Sequence, residues 1–169
     1  FKMRNFYLIT LGILLLLCLP IFSCNQEKSL PELVKENEPA IFHIFAFDKH
    51  GHARSTGTGF FIDSKGVGIT NFHVIEDVEL AFIKDFYGNV FKIEQVNKIA
   101  KKEDLAEITV MNDSNHEFNY LEISEKEGFK GENVFVIGNP SRLESTLTTG
   151  IISAIRDNNG FKEIQISAP

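Results

Sequence analysis

Tryptophan is absent from this 169-residue chain, and cysteine occurs only twice. Both cysteines, Cys18 and Cys24, lie in or just after an N-terminal apolar run. The body can therefore build neither a disulfide framework nor a thiolate metal site. A basic excess is also missing: 17 Lys and Arg face 23 Asp and Glu, for a net charge of -6. The first 23 residues hold Lys2 and Arg4 and no acid, so the remainder carries about -8. An acidic body without a basic stripe argues against nucleic acid as a partner. There is no low-complexity segment and no repeat with a period of about 20 to 50 residues, which excludes solenoids and propellers. No long amphipathic helix follows residue 38, which excludes a helix bundle.

What is present fits a packed domain, or part of a larger one. Hydrophobic residues make up 43% of the chain and charged residues 24%, values that allow a core and exclude global disorder. With 16 Phe, the core is expected to be filled by Phe, Ile, Leu and Val.

Residues 1–23 have the pattern of an export signal. Met3-Arg4-Asn5 opens it, and an apolar run extends from Phe6 to Phe22, with Pro20 favouring an extended cleavage region over a continuing helix. The run ends Ile21-Phe22-Ser23-Cys24, which is similar to a bacterial lipobox, although Phe22 is large for its position. In such proteins the cysteine takes a lipid and becomes the new N-terminus. An ordinary cleaved signal and an uncleaved anchor are the alternatives. Cys18 reads as a small apolar filler.

Residues 24–38 read as a polar tether. Ser29-Leu30-Pro31-Glu32 within it has the spacing of a capping box, so a turn or two of helix is expected there. From residue 39 the pattern changes to short β-rich runs: Ile41–Phe47, Gly59–Ile62, Leu80–Phe86, Val90–Val96, Leu105–Met111, Val134–Ile137, Ser145–Thr149, Ile151–Ile155 and Phe161–Ser167. Turn signals separate them at 63–66, 87–89, 112–115 and 157–160. Many short strands at regular spacing predict an all-β barrel or sandwich.

Hydrolysis of an acyl bond by a serine needs a base beside the hydroxyl, a carboxylate that holds the base in one tautomer, and N–H donors for the oxyanion. His73 follows an apolar run and lies at a strand-to-turn junction, where rigid backbone would hold it towards a cleft. Taken alone, such a histidine is more often a surface or satisfied core residue. Asp104 opens the run Asp104-Leu105-Ala106-Glu107-Ile108-Thr109-Val110, where it is placed to be desolvated and to accept from an imidazole N–H. Alone it is a common strand-edge acid. His50 and His52 flank Gly51 at an expected hairpin tip, with too few companions for a metal site. His43, within a strand, and His116, in a polar loop, read as structural.

Six stretches change the weight of these two residues: Gly57-Thr58-Gly59-Phe60-Phe61-Ile62, Ile69-Thr70-Asn71-Phe72-His73-Val74, Asp104-Leu105-Ala106, Val134-Phe135-Val136-Ile137-Gly138-Asn139-Pro140, Thr149-Gly150-Ile151-Ile152-Ser153-Ala154 and Ile164-Gln165-Ile166-Ser167-Ala168. Each is weak, but in this order and spacing the chain from about residue 39 onward resembles the Deg/HtrA branch of trypsin-like serine proteases. The resemblance implies a double β-barrel with the active site between the barrels. It makes His73 the general base and Asp104 its orienting carboxylate. Residues 39–112 would form the first barrel and 113–169 the opening strands of an incomplete second barrel. The nucleophile would follow the Ile164 strand and lie beyond Pro169; Ser141, Ser145, Ser153 and Ser167 lack its glycine-flanked setting. Glu107 stands where the family usually has an apolar residue, so packing behind Asp104 is expected to differ.

The implied activity is endopeptidase cleavage of exported polypeptides at a bacterial cell envelope, with lipid anchoring and with no metal or organic cofactor. The competing reading is a protease-like module that binds peptides without cutting them; intact His73 and Asp104 favour the enzyme. An unrelated lipid-anchored barrel that binds a small ligand is a third reading, and the shared register of the motifs weighs against it. The anchoring expectation is checked by mass spectrometry of the mature N-terminus. The expected species begins at a lipid-modified Cys24, and an unmodified peptide that starts elsewhere excludes it.

Overall fold

Alternation along the first strand determines the architecture. In β1, Ile41–Phe47, the side chains of Phe42, Ile44 and Ala46 share one face and are all buried, as period-2 geometry requires. β6, Leu105–Val110, repeats the pattern with Ala106, Ile108 and Val110. A computed structural model describes residues 28–138, 146–158 and 160–168. The signal-like run, Cys18, Cys24 and the 139–145 segment with Ser141 and Ser145 lie outside the described residues.

The remaining strands of the first unit are β2 (Ala53–Phe61), β3 (Val67–Asn71), β4 (Leu80–Lys84) and β5 (Val90–Ala100). They close with β1 and β6 into an antiparallel barrel of order β1-β2-β3-β6-β5-β4. Closure leaves no unpaired edge in this unit, so each strand is fixed by two neighbours. A second, three-stranded antiparallel sheet contains β7 (Asn133–Gly138), β8 (Thr146–Asn158) and β9 (Phe161–Ile166), with β8 in the middle. The all-β expectation and the antiparallel barrel are both observed.

Helix α1, Leu30–Asn37, precedes the barrel and starts with the expected capping box. The Glu32 carboxylate accepts from the Ser29 backbone N–H at 2.8 Å and from its hydroxyl at 2.7 Å. A 3₁₀ turn, Glu38–Ala40, joins α1 to β1. A single helical turn, α2, Phe72–Ile75, follows β3.

The tight turns are built by aspartates. Asp48 Oδ1 accepts the backbone N–H groups of His50 and His52 at 2.8 and 2.9 Å, so the two histidines do sit at a hairpin tip. Asp63 Oδ1 accepts those of Lys65, Gly66 and Val67 at 2.9, 3.0 and 2.9 Å. Asp85 and Asp157 do the same for Asn89 and Gly160. Short acceptors that reach backbone donors a few residues on are the physical content of the turn signals.

Two expectations are corrected. The core holds Phe42, Phe61, Phe118, Ile44, Ile83, Ile108, Val74 and Val110, with alanines at 46, 81 and 106, and no leucine is buried among the described residues. Flat rings and β-branched side chains suit the narrow space between pleated strands. Phe42 fills its place only because its neighbours are glycines: a Cβ on Gly59 would come within 2.3 Å of its ring, and one on Gly68 within 2.8 Å. Secondly, residues 146–149 and 151–155, expected as parts of two separate runs, lie in one continuous strand, β8. It pairs with β7 up to Ile151 and with β9 from Ile152, so Gly150 marks a change of partner and not a break. A Cβ at Gly150 would lie 2.5 Å from the backbone nitrogen of Ala168.

His43 departs from the simple pattern. It alternates away from Phe42 and Ile44, opposite Thr58 of β2 and Lys84 of β4, yet it is only 6% exposed. Its ring packs edge-on against Phe45 with centroids 4.5 Å apart, and neither ring nitrogen has a hydrogen-bond partner among the described residues. Burial first, and the nearby Lys84 charge second, hold its pKa below the usual histidine value. An unfolded chain thus takes up a proton near pH 6.5 that the folded chain refuses. Stability is complete above about pH 6.5 and declines as pH falls towards the depressed folded value. Urea unfolding at about pH 7.5 and about pH 5.5 checks this. The unsubstituted chain is expected to lose more of its midpoint on acidification than His43→Leu, and equal losses would show an imidazole that titrates freely.

Candidate active site

The pairing of β3 with β6 sets the geometry of this region. In that antiparallel ladder Asn71, the last residue of β3, is opposite Leu105, the first of β6. The residues just outside the ladder, Phe72 on one strand and Asp104 on the other, are then neighbours, and the Phe72 N–H donates to the Asp104 carbonyl at 3.1 Å. Asp104 occupies the left-handed region with φ 55, which few non-glycine residues adopt. That conformation turns its carboxylate towards α2.

α2 carries His73. Val74, the next residue, is 2% exposed and anchors the turn in the barrel core, where a Cβ on Gly57 would meet it at 2.5 Å. The Ser55 hydroxyl donates to the Val74 carbonyl at 2.5 Å and ties α2 to β2. With Val74 pointing inward, the His73 ring is directed outward and its side chain is 67% exposed.

The Asp104 carboxylate holds His73 at two points. Oδ1 accepts the His73 backbone N–H at 2.9 Å, and Oδ2 lies 2.6 Å from ring Nδ1. An ionised carboxylate only accepts, so the close contact requires the proton on Nδ1 and leaves the Nε2 lone pair as the basic site. Asp104 is held below the ordinary carboxylate range, mainly by the His73 backbone N–H and then by the His73 ring. The desolvation also expected from sequence acts in the opposite direction and more weakly than the two His73 hydrogen bonds. The Asp104 side chain is 43% exposed, so hydrogen bonds and not burial set its charge. Chemically, the arrangement is an imidazole of fixed tautomer, able to take a proton at Nε2 and to be stabilised when it does so.

The other residues singled out from sequence fall elsewhere. Glu107 faces outward on β6, accepting from Lys98 at 3.1 Å and Asn97 at 3.3 Å, while Ala106 and Ile108 on either side fill the interior. The packing behind Asp104 is therefore undisturbed by it. Ser167 lies just past β9, and its hydroxyl accepts the Ile151 N–H at 2.9 Å. The Ser153 hydroxyl faces the Ile151 carbonyl at 3.5 Å. No serine hydroxyl bonds to His73 among the described residues. His116 packs against Phe91, tilted, and Phe118, edge-on, with centroids 5.3 and 4.7 Å away, in keeping with a structural role. No cluster of three or more metal-ligating side chains occurs among the described residues. Sequence reading passed over Asn71, whose side chain also reaches Asp104. A polar residue ending a buried strand, two positions before the histidine, was the available signal.

The tautomer assignment is testable. Asp104→Asn keeps an acceptor for the His73 backbone N–H but turns an amide N–H towards Nδ1, which must then accept. The ring proton is expected to move to Nε2, read from the His73 ring 15N shifts. An unchanged Nδ1–H signal in the folded variant would show that Asp104 does not set the tautomer.

A family model described as a trypsin-like peptidase domain matches residues 57–169. Serine protease HTRA1B of Danio rerio is 28% identical over 145 residues, covering 83% of this chain and 29% of its own length. Protease Do-like 1, chloroplastic, of Arabidopsis thaliana is 30% identical over 152 residues, covering 78% and 32%. A probable periplasmic serine endoprotease, DegP-like, of Rhizobium meliloti is 35% identical over 102 residues, covering 60% and 20%. The chain thus spans a third or less of the length of these curated relatives. With its closed antiparallel barrel and a match over more than half its length, the chain belongs to the trypsin-like peptidase domain family, and its relatives there are serine proteases of the HtrA and Do type.

Proposed function

We propose that this chain supplies the general base and its orienting carboxylate, His73 and Asp104, to a serine endopeptidase. The observation that carries the reading is the 2.6 Å contact from Nδ1 to Asp104 Oδ2, made on an outward-facing ring. A structural histidine has no need of a fixed tautomer with an accessible second nitrogen. In the proposed reaction, Nε2 takes the proton of a serine hydroxyl as its oxygen bonds to the substrate carbonyl carbon. The same proton passes to the leaving amine when the peptide bond breaks. Water then repeats the sequence and releases the acyl group. Asp104 keeps its negative charge throughout and stabilises the transient imidazolium.

The nucleophile and the oxyanion donors are assigned to chain beyond Pro169 in the whole protein, following the resemblance. The sheet β7-β8-β9 is read as the beginning of a second barrel. Val136, Ile151 and Ile155 are about 40% exposed on it, an apolar surface that further strands would cover. Exported polypeptides are the proposed substrates, with Cys24 as the lipid-bearing tether. The DegP-like relative is described as periplasmic, which agrees with export.

A serine-directed active-site probe tests this reading. It should leave the 169-residue chain unlabelled and label the full-length protein at a serine beyond Pro169. His73→Ala in the full-length protein should abolish labelling, because the proposed base that activates the hydroxyl is then removed. Full peptidase activity in His73→Ala would overturn the mechanism, and labelling of the short chain at one of its own serines would overturn the assignment of the nucleophile.

A further inference from the structure

Asp104 is held from a third side. The Asn71 side-chain nitrogen lies 3.1 Å from the Asp104 carbonyl oxygen and 3.2 Å from Asp104 Oδ2. Oδ2 is the oxygen that receives His73 Nδ1, and the carbonyl also accepts the Phe72 N–H. Facing one amide group with two acceptors fixes its orientation. Reversed, it would set its own oxygen against a carbonyl and a carboxylate. One NH₂ group thus bridges the backbone and the side chain of a single residue, and that residue is the one with φ 55. Without the bridge, the carboxylate has only the His73 contacts to hold its rotamer, and it is 43% exposed to competing water.

We propose that Asn71 is a positioning residue: its amide locks the Asp104 carbonyl and carboxylate into the one arrangement that receives His73 Nδ1–H. The consequence for catalysis rests on the function proposed above; the consequence for the His73 tautomer does not. Residue type matters for a physical reason. Asparagine brings two N–H groups and no charge. Aspartate at the same place would set a second carboxylate against the first, and serine could serve only one of the two acceptors.

The test uses the full-length protein with 15N-labelled histidine and 13C-labelled aspartate, in the variants Asn71→Ala, Asn71→Asp and Asn71→Ser. In Asn71→Ala, His73 is expected to shift from the Nδ1–H form to a mixture of tautomers, and the Asp104 carboxyl midpoint to rise. In Asn71→Asp the midpoint should rise further. Asn71→Ser should fall between the asparagine and alanine forms, and it carries the comparison should Asn71→Ala fail to fold. Peptidase kcat should drop by about tenfold to 100-fold in Asn71→Ala with KM little changed, the pattern of a misplaced base. A merely structural role would lower the unfolding midpoint and leave tautomer and carboxyl titration as they were. That result in a folded variant overturns the proposal. Spectral changes as described, in a full-length protein without peptidase activity, would uphold the positioning and refute the enzyme. Activity lost in His73→Ala with no spectral change in Asn71→Ala would do the reverse.

Discussion

The registry of β3 on β6 is the constraint on which the rest of the site depends. The two residues that meet, His73 and Asp104, are far apart in sequence, and no local preference brings them together. What does so is the pairing of Asn71 with Leu105, which places the end of one strand beside the start of the other. A slip of one residue in that ladder would turn Ala106, Ile108 and Val110 out of the core and carry Asp104 away from α2. The hydrophobic alternation of β6 therefore protects the site as well as the barrel. Because the barrel is closed, β3 is held by β2 on its other side and β6 by β5, so the two strand ends cannot separate independently.

Within that frame, small residues and short acceptors make the fine adjustments. Gly59 and Gly68 make room for the Phe42 ring, and Gly57 for Val74, so that α2 can be rooted directly in the core. A rooted Val74 sends its neighbour His73 outward. The aspartate at 104 resembles those at 48, 63 and 85, each of which gathers nearby backbone N–H groups. Asp104 differs in that the groups it gathers belong to another strand end, and one of them is an imidazole. A device used elsewhere to close turns is here used to orient a ring.

Exposure and hydrogen bonding set His43 and Asp104 apart among the groups whose charge the fold perturbs. His43 is buried without partners, and its environment disfavours charge. Asp104 is open to water and richly partnered, and its environment favours charge. The contrast explains why the first makes the fold sensitive to acid, while the second keeps the charge that holds the His73 ring.

Much of this was legible in the amino-acid order. Period-2 alternation in Ile41–Phe47 and Leu105–Val110, aspartate- and glycine-marked turns and the Ser29–Glu32 spacing are local signals, and each produced the element expected. His73 and Asp104 could be singled out because their types and settings suit proton transfer and because the flanking motifs fall in a known order. Other features were decided only by packing. Alternation showed which side chains lie inside but not that leucine would be left out of the core among the described residues. Gly150 looked like a break until β8 was seen to change partners there. Asp104 was expected to be desolvated and to accept from an imidazole; how far the hydrogen bonds outweigh burial was decided by the packing. Asn71 drew no notice because its two acceptors belong to a residue on another strand. The sequence by itself determined the strands, the turns and the chemical types at the site, since these follow from short-range periodicity and side-chain chemistry. Distances, tautomer and the clamp on Asp104 belong to the tertiary structure, because they arise only where strands remote in sequence are paired in one register.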